Sequence, residues 1–168
     1  EITYEGYGPG GTAILVDTVT DNKNRTVAEV RLVFSRNGGN LAENGSVAWQ
    51  FDLKGLITVN TLRTNVDDIQ LAAIEAGADE IEVSEDGLLV EVITDPALIE
   101  QIRVSLSNEG YEIASADIIK MPQNTVELDD QTAIATLRML EKLDELDDVS
   151  KVHSNVGFSE SVIAAVSE

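Results

Sequence analysis

Three sets of residues have types and spacings that could do chemistry. Gly6, Gly8 and Gly11, within Gly6-Tyr7-Gly8-Pro9-Gly10-Gly11, have the spacing of a loop that cradles a pyrophosphate at a helix start. Such a loop follows a strand and opens a helix; this one precedes the β-branched run 12–19, and Pro9 removes a backbone donor. Two other readings fit better: a tight turn that uses the positive φ open to glycine, or a protruding loop whose bare backbone approaches RNA or protein. No cofactor is expected. The second set, Lys23, Asn24, Arg25, Arg31 and Arg36, is the densest basic group in the chain. Guanidinium groups pair with phosphate oxygens, so these residues and the loop Gly8, Pro9, Gly10, Gly11 are the candidate nucleic-acid contacts. The competing reading is a solvated helix face with ion pairs to Glu29.

The third set offers less. His153 is the one histidine and cysteine is absent, so neither a metal site nor a disulfide framework is expected. Ser154 adjoins His153, but neighbours on a strand point to opposite faces, which argues against a serine triad. The run Asp21-Asn22-Lys23-Asn24 lacks the alternating oxygen ligands and later Glu of a calcium loop. Asp129-Asp130 and Asp147-Asp148 read as helix-end or linker acids. No catalytic residue stands out, and a hydrolase built on carboxylates finds no support in their spacing.

Charge limits the partners. The 168 residues carry a net −20, unfavourable for a polyanion ligand, but the acid is unevenly spread. Residues 61–130 hold 3 basic and 17 acidic side chains, whereas residues 1–60 hold 5 and 7. The middle therefore reads as a separate domain with a solvated surface, free to meet a protein partner. No apolar run is long enough to cross a bilayer, and no charged-then-apolar leader opens the chain, so no membrane partner is expected. A cytoplasmic protein is the expectation, mitochondrial if the source is eukaryotic.

The elements that must position these residues follow from periodicity. Residues 12–19 form a strand; Thr26 and Glu29 have capping-box spacing for a helix with Val27, Val30 and Phe34 on one face, stopped by Gly38 and Gly39. Val47, Trp49 and Phe51 alternate with small or polar residues, so a strand should carry them into the core, although Trp49, Phe51 and Phe34 could also stack bases. A turn at Lys54-Gly55 leads to a strand at 56–59. In the middle, a helix 68–76, strands 80–83 and 88–93 around Asp86-Gly87, a helix after Asp95-Pro96 and a strand 111–119 are expected. An amphipathic helix 132–146 and a strand 149–155 complete the chain. The expected class is α+β: a discontinuous split βαβ, ferredoxin-like domain from 1–60 and 131–168, with a small acidic α+β domain, 61–130, inserted.

Residues 4–13, Tyr-Glu-Gly-Tyr-Gly-Pro-Gly-Gly-Thr-Ala, are followed in order by 21–31, by Gly38-Gly39-Asn40-Leu41 and by Gly45-Ser46-Val47-Ala48. Together with 73–78 and 152–155 they resemble the YebC/PmpR family over nearly the whole chain. A familiar member has Tyr-His-Asn near the end, where this chain has His153-Ser154-Asn155. The resemblance implies three domains, of which the helical, basic N-terminal one is missing from this chain and would supply most nucleic-acid affinity. It also implies a DNA-binding transcriptional regulator. The alternative is a ribosome-associated translation factor binding rRNA or mRNA, as in a mitochondrial relative that looks like a translational activator.

Overall fold

The computed structural model describes residues 1–157. In chain order they form β1 (Ile2–Tyr7), β2 (Ala13–Thr18), α1 (Lys23–Arg36), β3 (Asn40–Ala42), β4 (Phe51–Asn60), α2 (Val66–Ala76), β5 (Glu80–Val83) and β6 (Leu89–Thr94). Then follow α3 (Ile99–Asn108), β7 (Glu112–Pro122), β8 (Val126–Glu127), α4 (Asp130–Asp144), β9 (Val149–Ser154) and β10 (Val156–Gly157), with 3-10 turns at Pro9–Gly11, Ala48–Gln50 and Pro96–Leu98. Helices and mainly antiparallel sheets make the fold α+β, with β8 and β10 pairing in parallel. The chain divides into an outer unit, Glu1–Asp52 with Met121–Glu168, and an inner unit, Leu53–Lys120.

The outer unit has a four-stranded antiparallel sheet in the order β3-β1-β2-β9. Strand alternation sends Ile14 and Val16 of β2 to one face, where they meet Val30 and Phe34 of α1 and Met139 and Leu143 of α4. On the other face Ala13 and Leu15 pack with Val47, Tyr7 and Phe51. Burying a side chain such as Phe34 contributes roughly 2–3 kcal/mol. Gly39 allows the chain to turn back after α1, because a Cβ there would collide with the Tyr7 carbonyl.

The inner unit runs β4-α2-β5-β6-α3-β7, with strand order β5-β6-β4-β7. Its core is apolar: Ile57, Val59, Ile69, Val90, Val92, Ile102 and Leu106. Gly77 closes α2 at φ 110, in the left-handed region. Asp95 caps the turn before α3 by accepting from the Ala97 N–H at 2.9 Å.

Several expected elements shift. The split βαβ order is that of the inner unit; the outer unit opens with a β1-β2 hairpin, and β1 and β3 were not anticipated. The break lies at 52/53 and 120/121 where the sequence suggested 60/61 and 130/131, because 56–59 is part of the ten-residue β4. The N-cap of α1 is Asn22, whose side chain accepts from the Arg25 N–H at 3.1 Å, so Thr26 sits inside the helix and Lys23 and Asn24 form its first turn. The expected strand around 47–51 is a 3-10 turn before β4, and it turns Trp49 outward.

Candidate nucleic-acid interface

The cations of α1 do not share one surface. At 100° per residue, Arg31 and Arg36 lie about 140° apart around the axis, on either side of the buried stripe Thr26, Val30 and Phe34. Arg25 and Arg36 do project from one side, with half-exposed Leu32 between them, but eleven residues separate them by about 16 Å along the helix. The densest basic group of the sequence is therefore not a single basic patch in the fold.

Arg25 is also committed elsewhere. Its guanidinium lies 2.9 Å from Asp148 and 3.5 Å from Asp21. The Thr26 hydroxyl donates to the same Asp148 carboxylate at 2.7 Å. These bonds, Thr26 first and Arg25 second, hold the Asp148 carboxyl below the usual carboxylate range, and the hydrogen bond to Asp148 raises the Arg25 guanidinium in return. Asp148 thus ties the start of α1 to the turn between α4 and β9. Lys23, Arg31 and Arg36 are exposed and form no ion pair among the described residues.

The glycine loop joins β1 to β2 and opens no helix, as a pyrophosphate cradle would have to. Gly8 N–H donates to the Thr12 carbonyl at 2.8 Å and Gly11 N–H to the Gly8 carbonyl at 3.1 Å, which leaves at most the Gly10 N–H for a partner. Gly10 and Gly11, at φ 73 and 79, are exposed; Gly8 is buried. A Cβ on Gly38 would stand 3.8 Å from the Pro9 ring, and one on Gly10 would meet Leu128. The loop therefore sits beside the C-terminal end of α1 and the start of α4, near Arg36 and far from Lys23, Asn24 and Arg25. Lys142 of α4 reaches the Asn37 side chain at 3.1 Å and adds a cation to that end.

His153 packs within the sheet, as a strand residue would. On β9, its Nε2 is 2.8 Å from Asp17, which also accepts from the Thr3 hydroxyl at 2.8 Å, so three strands are tied across one face of the sheet. Glu5, on that same face and 5 % exposed, accepts from the N–H groups of Gly45, Val47 and Ala48 at 2.6, 3.0 and 2.8 Å. It holds the 45–48 turn over Leu15. Nothing in the alternation of β1 flags a buried carboxylate whose partners lie forty residues away. Among the described residues no three His, Asp or Glu side chains converge as metal ligands.

A family model described as the TACO1/YebC second and third domain matches residues 1–156. The chain belongs to the TACO1/YebC family. It is 45 % identical over 163 residues to a probable transcriptional regulatory protein of Dehalococcoides mccartyi, covering 97 % of this chain and 64 % of that one. A protein of the same description from Herpetosiphon aurantiacus is 43 % identical over 169 residues, covering 100 % of this chain and 66 % of its own length. Among solved structures, a conserved hypothetical protein from Aquifex aeolicus superposes with a TM-score of 0.85 at 38 % identity, over 95 % of this chain and 65 % of that one. The chain thus spans about two thirds of the length of each of these proteins.

Proposed function

We propose that this TACO1/YebC chain is a non-enzymatic regulator of gene expression that binds nucleic acid, acting on DNA as a transcriptional regulator. The description of its relatives as transcriptional regulatory proteins supports the reading at the level of the family. The observation that carries it to residues is the set of exposed cations of α1, Lys23, Arg31 and Arg36, without a carboxylate partner among the described residues. Arg36, Lys142 and the Gly10 N–H form one contact region; Lys23 and Asn24 form a second at the opposite end of α1, and Arg31 lies on its other flank. Arg25 keeps its structural role at Asp148. Such contacts position a backbone without reading bases.

A net charge of −20 opposes association, so most of the affinity is assigned to a basic N-terminal domain of the full-length protein, beyond this chain. The acidic inner unit is assigned to a protein partner, and the protein to the cytoplasm, or to mitochondria in a eukaryote. A second reading, contact with RNA on the ribosome, is favoured by the exposed indole of Trp49. Gel-shift titrations of the full-length protein separate the two. Promoter duplexes shifted in preference to random duplexes at physiological salt support the DNA reading. Equal binding to both, with co-sedimentation on ribosomes, overturns it in favour of the second.

A further inference from the structure

Trp49 is the one tryptophan of the chain, and 67 % of its surface is exposed. Tryptophan is among the most buried residues on average, so an outward indole calls for a reason. This one is held in place. Its Nε1 donates to the Ser46 carbonyl at 3.0 Å, which satisfies the polar edge of the ring within its own turn and leaves a face to offer. The turn is pinned below by Glu5 and from the side by the Gln123 N–H, which donates to the Gln50 carbonyl at 2.8 Å.

Beside the ring is a pocket of about 110 Å³, lined by Trp49, Gln50, Gln123, Asn124, Val126 and Asn155. Among the described residues no charged side chain lines it. Its size is about a third of the smallest pockets that take a drug-sized ligand, roughly 300 Å³, so it suits one planar ring and no more. The amides around it are only partly used. Gln123 Nε2 donates to the Trp49 carbonyl at 3.1 Å and to Asp52 at 3.2 Å, which leaves its oxygen to accept. Gln50 accepts from Asn155 at 3.2 Å and keeps its own N–H groups to donate. Asn124 is exposed and has no hydrogen bond among the described residues.

We infer that Trp49 and the carboxamides of Gln50, Gln123 and Asn124 form a stacking site for a single unpaired nucleobase, on a single strand or a splayed loop. An aromatic face takes the π-face of any base, and side-chain amides supply donors and acceptors for its edge. A neutral lining fits a base better than a phosphate. A base inside a duplex is stacked on both sides and unavailable to the indole. The site deepens the nucleic-acid reading above and rests on it, but uses residues separate from the cations of α1.

The single tryptophan makes the test direct. The 168-residue chain is titrated at low salt with eight-nucleotide RNA and DNA strands, with an abasic strand of equal length and with a duplex, and indole emission is followed. Saturable quenching by RNA, by DNA or by both, absent with the abasic strand, is expected, and the stronger strand names the source. Trp49→Ala should weaken binding of a labelled strand about five- to 150-fold, with Trp49→Phe losing less. Asn124→Ala, at an exposed side chain that holds nothing in the fold, should weaken it as well. Equal quenching by the abasic strand or the duplex, no quenching, or quenching only by apolar peptides overturns the site. If indole quenching fails while duplex binding sensitive to Arg31 and Arg36 persists, only this inference falls; if both fail, the nucleic-acid reading falls with it.

Discussion

The two units solve the same packing problem with different bonds. In the inner unit the core is apolar, and such side-chain bonds as Lys54 to Asp79, Arg63 to the Asp86 carbonyl, Ser84 to Asp86 and Arg103 to Glu100 span 25 residues or fewer. The outer unit brings together segments more than a hundred residues apart, and polar side chains mark each junction. Asp148 takes Arg25 and Thr26, His153 takes Asp17, and Asn155 takes the Ala13 N–H at 2.9 Å. A continuous chain segment can fold around local contacts. One built from two chain ends must also fix register between strands that never meet in sequence, and directional hydrogen bonds do this better than area alone.

Four substitutions test that contrast. Leu106→Ala, a cavity in the apolar inner core, should cost about 2–5 kcal/mol in urea unfolding, with hydrogen exchange accelerated in β5 and β6 and little changed in β1 and β2. Uniform acceleration through both sheets would blur the distinction. Glu5→Ala strands three backbone donors, one of them on fully buried Val47, and should cost about 3 kcal/mol, with the damage now in the outer sheet. A urea midpoint like that of the wild type would remove Glu5 as a tether. Asn155→Ala, which frees the buried Ala13 N–H, should cost about 1–2 kcal/mol.

The smallest effect concerns pH. The folded Asp148 carboxyl titrates below its ordinary value, chiefly through the Thr26 hydroxyl and then Arg25. A depressed carboxylate stabilises the fold above its unfolded pKa, and the contribution fades as pH falls through the folded value. Asp148→Asn should therefore be less stable than the wild type at neutral pH and converge with it in acid. Parallel stability curves down to acid pH would contradict the tether.

Much of the fold was legible because periodicity reports burial. The helices α3 and α4, the Asp86-Gly87 hairpin and the Asp95-Pro96 cap stand where local pattern put them, although the buried face of α4 is Ala133, Thr136, Met139 and Leu143. What escaped depended on distant partners. β1 hides a buried carboxylate in an alternation that looks half polar, and Val47-Trp49-Phe51 has the period of a strand although a 3-10 turn, whose side chains repeat every three residues, sits at Ala48–Gln50. The basic residues of α1 were visible as a group; that Arg25 serves Asp148, 123 positions later, was not. Thr26 looked like a cap because its true partner lies as far away.

The central claim is that Arg31 and Arg36 meet phosphates. The direct measurement is the salt dependence of duplex binding by the full-length protein and by its Arg31→Ala/Arg36→Ala variant. Each lost phosphate contact should lower the slope of log K against log salt by about 0.9, so the double variant should bind more weakly with a slope shallower by about 2. An unchanged slope would contradict the account.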